Sequence, residues 1–154
     1  MIDARFGHVN VIARDWRRLA TFYSRAFGCT FVPPERDYSG PDLARGTGVA
    51  DAALRGAHLR LPGLGPDGPT LEIYEYVPSL AGLAPAANRP GFGHVAFVVP
   101  DVADARSVVL AEGGGPIGEV VTLETADGRR VTWCYVTDPE GTILELQSWT
   151  EVVP

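Results

Sequence analysis

Two histidines and two glutamates stand where their chemistry would suit a metal ion. His8 and His94 each follow Phe-Gly, and Glu72 and Glu145 each lie inside an apolar run. Burying a carboxylate in such a run without a partner costs on the order of several kcal/mol, so each glutamate needs a cation or a proton donor. Imidazole and carboxylate suit divalent zinc, nickel, iron or manganese, and four such ligands leave octahedral positions open. The set predicts a metal centre that binds a further ligand.

An internal repeat relates these residues in pairs. The segment FGHVNVIARDWRRLATFYSRAFG (6–28) aligns with FGHVAFVVPDVADARSVVLAEGG (92–114) at a constant offset of 86 residues, and LEIYEY (71–76) resembles LELQSW (144–149) at an offset of 73. A lone strand histidine is more often a hydrogen-bonded core or edge residue than a ligand. The repeat favours ligation, because two like modules whose opening and closing strands line one concave sheet would bring all four side chains together.

Each half of the chain is predicted to form a strand, a helix and three further strands. Asp15 and Asp101 are expected to cap helices that end at Gly28 and near Glu112, since Asp is favoured before a helix and Gly after it. The predicted strands cover 6–13, 29–32, 53–61 and 70–77 in the first half, and 92–99, 117–124, 130–136 and 142–149 in the second. Segment 33–48 is polar and ambiguous.

The repeat also predicts the domain organisation. Residues 1–77 form the N-terminal βαβββ module, 78–91 form a linker rich in Pro, Ala and Gly, and 92–154 form the C-terminal module. The fold class is therefore α+β. An open sheet of four strands per module leaves unpaired edges, and symmetric pairing commonly covers them, so a homodimer is expected. The linker is long enough for a site within one chain or a site shared by two.

Strand alternation identifies the side chains that accompany the ligands. Asn10 shares a face with His8, Tyr74 with Glu72, and Gln147 with Glu145, which makes these three candidate substrate contacts. His58 is a fourth candidate, although a solvated strand histidine is at least as good an interpretation. Glu75 falls on the face opposite Glu72 and is expected to be solvated.

Composition excludes several classes of protein. The 154 residues carry 13 basic and 19 acidic side chains, a net charge of −6, without a basic cluster for nucleic acid. The N-terminus has no apolar run suited to a signal peptide or a membrane span, so a cytoplasmic protein that binds no membrane is expected. Cys29 and Cys134 lack paired metal-ligand spacing and are interpreted as small buried side chains.

Four motifs resemble those of the glyoxalase and bleomycin-resistance superfamily, which is also called the vicinal-oxygen-chelate superfamily. They are FGHV before a helix, LEIYEY, GFGHVAFVV and YVTDPEGTILELQSW. The resemblance covers nearly the whole chain and implies tandem βαβββ modules that form an open, barrel-like mixed sheet around a metal-binding cavity. It also implies metal ligands at the opening and closing strands, here His8, Glu72, His94 and Glu145. An epimerase of this superfamily is disfavoured, because its His-His pair is replaced by Gly93-His94.

The resemblance implies a glyoxalase I-like lyase or isomerase acting on a small substrate with two vicinal oxygens through an enediolate. Glu145, or its repeat partner Glu72, would serve as the general base. Glutathione or another thiol is a possible cosubstrate, but no arginine is assigned to hold its carboxylates. The alternatives are an extradiol-type dioxygenase with iron and an antibiotic-binding resistance protein in which Tyr74, Trp133 and Trp149 stack on the drug. Ordinary core packing is the better interpretation of those aromatic residues.

Overall fold

The structure is a computed structural model that describes residues 1–150. It has the predicted α+β class, with two mixed sheets and three helices in the described part of the chain. The chain divides into two compact units, Met1–Gly82 and a second that begins at Leu83. Residues 151–154, the end of the predicted second module, lie outside the described residues. No helix within 1–150 is long and apolar enough to cross a membrane.

The first unit contains four strands and two helices. Its elements are β1 (His8–Ile12), α1 (Trp16–Phe27), β2 (Thr30–Ser39), α2 (Pro41–Thr47), β3 (Ala53–Arg60) and β4 (Thr70–Val77). The strand order is β1-β4-β3-β2, in which β1 runs parallel to β4 and the other neighbours are antiparallel. The closing strand β4 therefore lies in the interior of the sheet, between the strands that carry His8 and His58.

Local sequence sets the bounds of α1 as predicted. The Asp15 side chain accepts a hydrogen bond from the Arg18 backbone N–H at 3.0 Å, which satisfies one of the free donors of the first turn. Gly28 ends the helix with φ of 69°, a left-handed conformation that glycine adopts without a steric penalty. The apolar face of α1 is buried, with Leu19 and Tyr23 fully inaccessible. The helix packs against β3 and β4.

Segment 33–48, which the sequence left ambiguous, is ordered into two elements. Strand β2 continues to Ser39 instead of ending at Val32, with an irregularity in its pairing to β3 between Val32 and Arg36. Pro33 and Pro34 lie within that irregular segment. Proline has no backbone N–H to donate to a neighbouring strand, so a segment that contains it is difficult to recognise as a strand from the sequence. Helix α2 then begins at Pro41, directly after Gly40.

The described part of the second unit contains five strands and one helix, against four strands and two helices in the first. Its elements are β5 (Val95–Val98), α3 (Val102–Ala111), β6 (Gly115–Pro116), β7 (Val121–Glu124), β8 (Arg130–Thr137) and β9 (Ile143–Thr150). The order is β5-β9-β8-β6, with β7 also paired to β8, and β5 is parallel to β9. Asp101 caps α3 by accepting from the Asp104 N–H at 2.8 Å, as predicted.

Two predicted strands of the second unit are too long. The opening strand begins at Val95, so that His94 immediately precedes it, and the strand predicted over 117–124 is reduced to β7, which begins at Val121. Gly118 lies outside the regular strand pairing, and its backbone N–H donates a hydrogen bond to the Tyr135 carbonyl at 3.1 Å. Glycine and proline around these positions weaken continuous pairing, which explains the shorter strands.

Two tight turns place β8 and β9. The predicted hairpin at Asp127-Gly128 joins β7 to β8, with Gly128 at φ of 83°. In the turn before β9, Asp138 accepts hydrogen bonds from the backbone N–H groups of Glu140 and Thr142, both at 2.9 Å. Asp138 is almost fully buried, so these hydrogen bonds are shielded from water and stabilise the turn at the start of the strand that carries Glu145.

Candidate functional site

The first unit brings three predicted site residues together on one face of its sheet. In the parallel register His8 lies opposite Thr70, two residues before Glu72, and in the antiparallel register His58 lies directly opposite Glu72. The His8 Nε2 atom is 3.4 Å from Glu72 Oε2, and the His58 Nε2 atom is 3.1 Å from Glu72 Oε1. Each carboxylate oxygen therefore faces its own imidazole.

The burial of Glu72 is what makes these contacts significant. Its neighbours Leu71 and Ile73 point to the opposite, apolar face and are inaccessible, while Glu72 itself is only 8% exposed. A carboxylate removed from water to this extent is destabilising unless positive or proton-donating groups surround it. The two imidazoles meet that requirement, as the apolar surroundings of Glu72 in the sequence predicted.

His58 is also hydrogen-bonded to Tyr74. The His58 Nε2 atom lies 2.9 Å from the Tyr74 hydroxyl, and the two rings meet edge to face at 6.0 Å. Burial lowers the pKa of His58 from its ordinary value, against the opposing effect of the Glu72 charge, so that the neutral imidazole is favoured near pH 7. Burial, with the Glu72 charge next, raises the pKa of Tyr74 to about 12.

The second unit holds the matching pair. The His94 Nε2 atom lies 2.8 Å from Glu145 Oε2, and both side chains are partly buried. Glu145 lies opposite Ala96 on β5 and opposite Tyr135 on β8. The Tyr135 ring is 5.1 Å from the His94 ring, and burial followed by the Glu145 charge raises its pKa.

Tyr135 is a site residue that the sequence reasoning missed. Its signal was present: a tight turn at 138–141 implies a hairpin register, and that register places Tyr135 opposite Glu145. The sequence predicts a strand over 130–136, and the pattern of that strand alone does not indicate which of its residues lies opposite Glu145. Trp133 packs edge to face on Tyr135 at 4.9 Å. Trp149 instead lies under the Arg129 guanidinium, 4.9 Å from its ring centre.

The candidate substrate contacts fall into different settings. Asn10 is exposed and lies opposite Glu72 on the neighbouring strand, so it is accessible to a ligand at this face. Tyr74 is engaged with His58. Gln147 accepts a hydrogen bond from the Trp149 Nε1–H at 2.6 Å. Glu75, on the other face of β4, is paired with Arg55 at 2.9 Å and is partly buried rather than freely solvated.

The donor chemistry of these pairs fits a divalent metal. Two nitrogen or oxygen donors bound at about 2.0 to 2.1 Å with angles of about 90° to 110° lie roughly 2.8 to 3.5 Å apart. The His8–Glu72 and His94–Glu145 separations of 3.4 and 2.8 Å fall in that interval. Within residues 1–150, no group of three or more His, Cys, Asp or Glu side chains is arranged to hold an ion. Each unit holds one pair, and the four-ligand centre stays a prediction.

Comparison with known proteins gives a consistent result. The sequence model of the Glyoxalase/Bleomycin resistance protein/Dioxygenase superfamily matches residues 5–146. The fold is similar to that of a glyoxalase family protein from Bacillus cereus, with 21% identity, a TM-score of 0.79, and coverage of 96% of this chain and 95% of that one.

A second similar structure is the fosfomycin resistance protein FosX from Listeria monocytogenes, with 18% identity, a TM-score of 0.60, and coverage of 97% of this chain and 96% of that one. Another structure of FosX contains manganese(II) and sulfate, at 16% identity, a TM-score of 0.50, and coverage of 97% and 95%. At these identities the likeness concerns the fold. No curated protein matches the chain significantly.

Proposed function

The chain belongs to the Glyoxalase/Bleomycin resistance protein/Dioxygenase superfamily, and we propose that within it the protein is a metal-dependent lyase or isomerase of the glyoxalase I type. Its substrate would be a small molecule with two vicinal oxygens. The observation that carries the proposal is the imidazole–carboxylate pair in each unit, at corresponding positions of the repeat. Within each pair the two donor atoms are close enough to bind the same ion. The proposed ligands are His8, Glu72, His94 and Glu145.

The proposed division of roles follows from the chemistry of these residues. A divalent ion, when bound, supplies positive charge that stabilises negative charge developing on two neighbouring oxygens of the substrate. Glu145 accepts the proton that leaves one of the two oxygen-bearing carbons and returns it to the other, so that an enediolate exists between the two transfers. Glu72 is its alternative in this role. Asn10, exposed beside Glu72, donates or accepts a hydrogen bond to the substrate.

The proposal includes a thiol as cosubstrate. A glyoxalase I-type substrate is a hemithioacetal, so glutathione or a related thiol would be the cosubstrate. We place the activity in the cytoplasm, where a reducing environment suits the two buried thiols Cys29 and Cys134.

Homodimer formation is part of the same proposal and is supported by the opening strands. Both β1 and β5 are edge strands of their sheets. They also expose apolar side chains at equivalent repeat positions, Ile12 at 50% and Val98 at 74%. Exposed apolar residues on an unpaired sheet edge favour association with another chain.

Fosfomycin resistance is a second candidate, favoured by the similarity in fold to FosX over almost the full length of both chains. An extradiol-type dioxygenase is a third, although a fourth ligand, Glu72, would occupy a position that dioxygen chemistry leaves open.

The test is elemental analysis of protein purified without added metal, followed by assays of the metal-free and reconstituted forms. The substrates are a hemithioacetal, a catechol and fosfomycin. Metal-dependent turnover of the hemithioacetal alone supports the leading proposal, and turnover of either other substrate alone replaces it.

A further inference from the structure

The two oxygens of Glu72 are not equivalent. Oε2 faces the proposed ligand His8, whereas Oε1 faces His58 at 3.1 Å. A carboxylate that binds a metal through one oxygen needs a hydrogen-bond donor at the other to fix its orientation. Because Glu72 is buried, a side chain of the protein is better placed than bulk water to supply that donor.

The contacts of His58 indicate which ring nitrogen carries the proton. Its Nε2 lies near two oxygens, the Tyr74 hydroxyl at 2.9 Å and Glu72 Oε1 at 3.1 Å. A neutral imidazole nitrogen is either a donor or an acceptor. Without a hydrogen, Nε2 would present its lone pair to a buried carboxylate, which is repulsive. With a hydrogen, Nε2 is a donor that both oxygens attract, and this protonation is the favoured one.

A glycine opposite Tyr74 on β3 makes room for the contact between Tyr74 and His58. Tyr74 pairs across the sheet with Gly56 on β3. A Cβ atom at Gly56 would lie 2.5 Å from Tyr74 Cδ1 and 2.0 Å from the carbonyl oxygen of Ile73, so a side chain cannot be accommodated there. The absence of a side chain lets the ring lie across β3, where its hydroxyl reaches His58 two residues further along that strand.

In the described part of the second unit, the corresponding positions carry different residues. Tyr135 takes the place of His58 opposite Glu145, and Trp133 takes the place of Gly56 opposite Gln147. Gln147, at the position of Tyr74, is instead bonded to the Trp149 indole. The support of Glu72 is therefore specific to the first unit.

We propose that His58 is a positioning residue that holds Glu72 Oε1 through its Nε2–H, so that Oε2 is presented to the metal beside His8. Tyr74, lying over Gly56, fixes the imidazole in that orientation. Glu72 is thereby the stationary ligand, and Glu145, which lacks this support, is the carboxylate that moves to accept a proton. The inference rests on the proposed function, because it takes Glu72 to be a ligand.

The test compares His58→Leu, which removes the donor, with His58→Gln, whose amide can donate from a similar place. Manganese and zinc affinities are measured by chelator competition, and thermal unfolding of the metal-free proteins monitors folding. His58→Leu should weaken metal binding by about 10- to 100-fold, the usual effect of losing an outer partner of a ligand. His58→Gln should restore most of that loss. Glu75→Gln, a carboxylate change on the other face of the same strand, is the matched control and should bind metal normally.

Nitrogen-15 NMR of the metal-free wild-type protein adds a readout that depends on neither metal nor variant folding. The His58 signals should show the neutral tautomer with hydrogen on Nε2, and the Nε2 signal should shift in Glu72→Gln. Any of three results would overturn the positioning role. They are a hydrogen on Nδ1 in the wild type, normal metal binding by His58→Leu, and a loss of metal affinity in His58→Gln as large as the loss in Glu72→Gln. If Glu72→Gln leaves metal binding unchanged while the wild-type tautomer is as expected, the proposed ligand set fails and the His58–Glu72 hydrogen bond stands.

Discussion

His58 and Tyr135 occupy the same place in the two units, each directly opposite the glutamate of the closing strand. An imidazole opposite Glu72 can donate to a carboxylate in its neutral form, and so can the phenol opposite Glu145. The His58 nitrogen lies within 3.1 Å of its glutamate, while the Tyr135 ring packs on His94. The repeat therefore preserves the two His–Glu pairs but surrounds the two carboxylates differently, which is the structural basis for giving them different roles.

The first prediction concerns Glu145→Gln. The substitution keeps the shape of the side chain and removes its charge and basicity, so turnover should fall by about 10²- to 10⁴-fold, the range for loss of a general base. Circular dichroism should show an unchanged fold. Metal content and steady-state kinetics are the measurements, and a variant with normal occupancy and normal turnover would remove Glu145 from the mechanism.

A second prediction is that Glu75→Gln is nearly silent in metal content and turnover. Glu75 lies on the opposite face of β4 from Glu72 and pairs with Arg55, whose side chain is more than half exposed. Because the Arg55 partner is largely in water, loss of this pair should change the free energy of unfolding by no more than about 1 kcal/mol. Denaturant unfolding and elemental analysis check both parts. Loss of metal here, combined with normal binding by Glu72→Gln, would contradict the face assignment.

Cys29 gives a prediction about pH. Its thiol is buried, and burial raises its pKa from 9.0 to about 11. Because the folded-state pKa lies above the unfolded one, the stabilisation is fully present below pH 9 and is lost as pH rises towards 11. Unfolding free energies measured across that interval should decline by on the order of 2 kcal/mol more in the wild type than in Cys29→Ala. An equal decline in both proteins would show that another group is responsible.

The sequence was sufficient for most of the fold because its local signals agree with the tertiary structure. Asp15 and Gly28 bound α1, Asp101 begins α3, and the apolar neighbours of Glu72 and Glu145 place both on strands. The continuation of β2 through two prolines could not be predicted, since it depends on pairing with β3 and not on local preference.

Site prediction from the sequence was limited for a related reason. The repeat identified residues that occur in both halves, so it found the two His–Glu pairs. His58 and Tyr135 differ between the halves, so the repeat does not identify them. The sequence predicts His58 only as a candidate substrate contact and does not predict Tyr135, whereas the strand register shows that each lies opposite a glutamate. The support given by Gly56 to Tyr74 depends on a close approach of backbone and ring, which a sequence pattern does not report.

The last prediction concerns assembly. The chain should be a homodimer by analytical ultracentrifugation at micromolar concentration, because edge strands β1 and β5 expose apolar side chains, and a monomer at that concentration would contradict it. Mixing His8→Ala and His94→Ala chains then locates the site. If the first unit of one chain joins the second unit of the other, a heterodimer has one site with both histidines intact and regains about half of the metal of the wild type. If each chain forms its own site, every site lacks one histidine, and an authenticated heterodimer regains none.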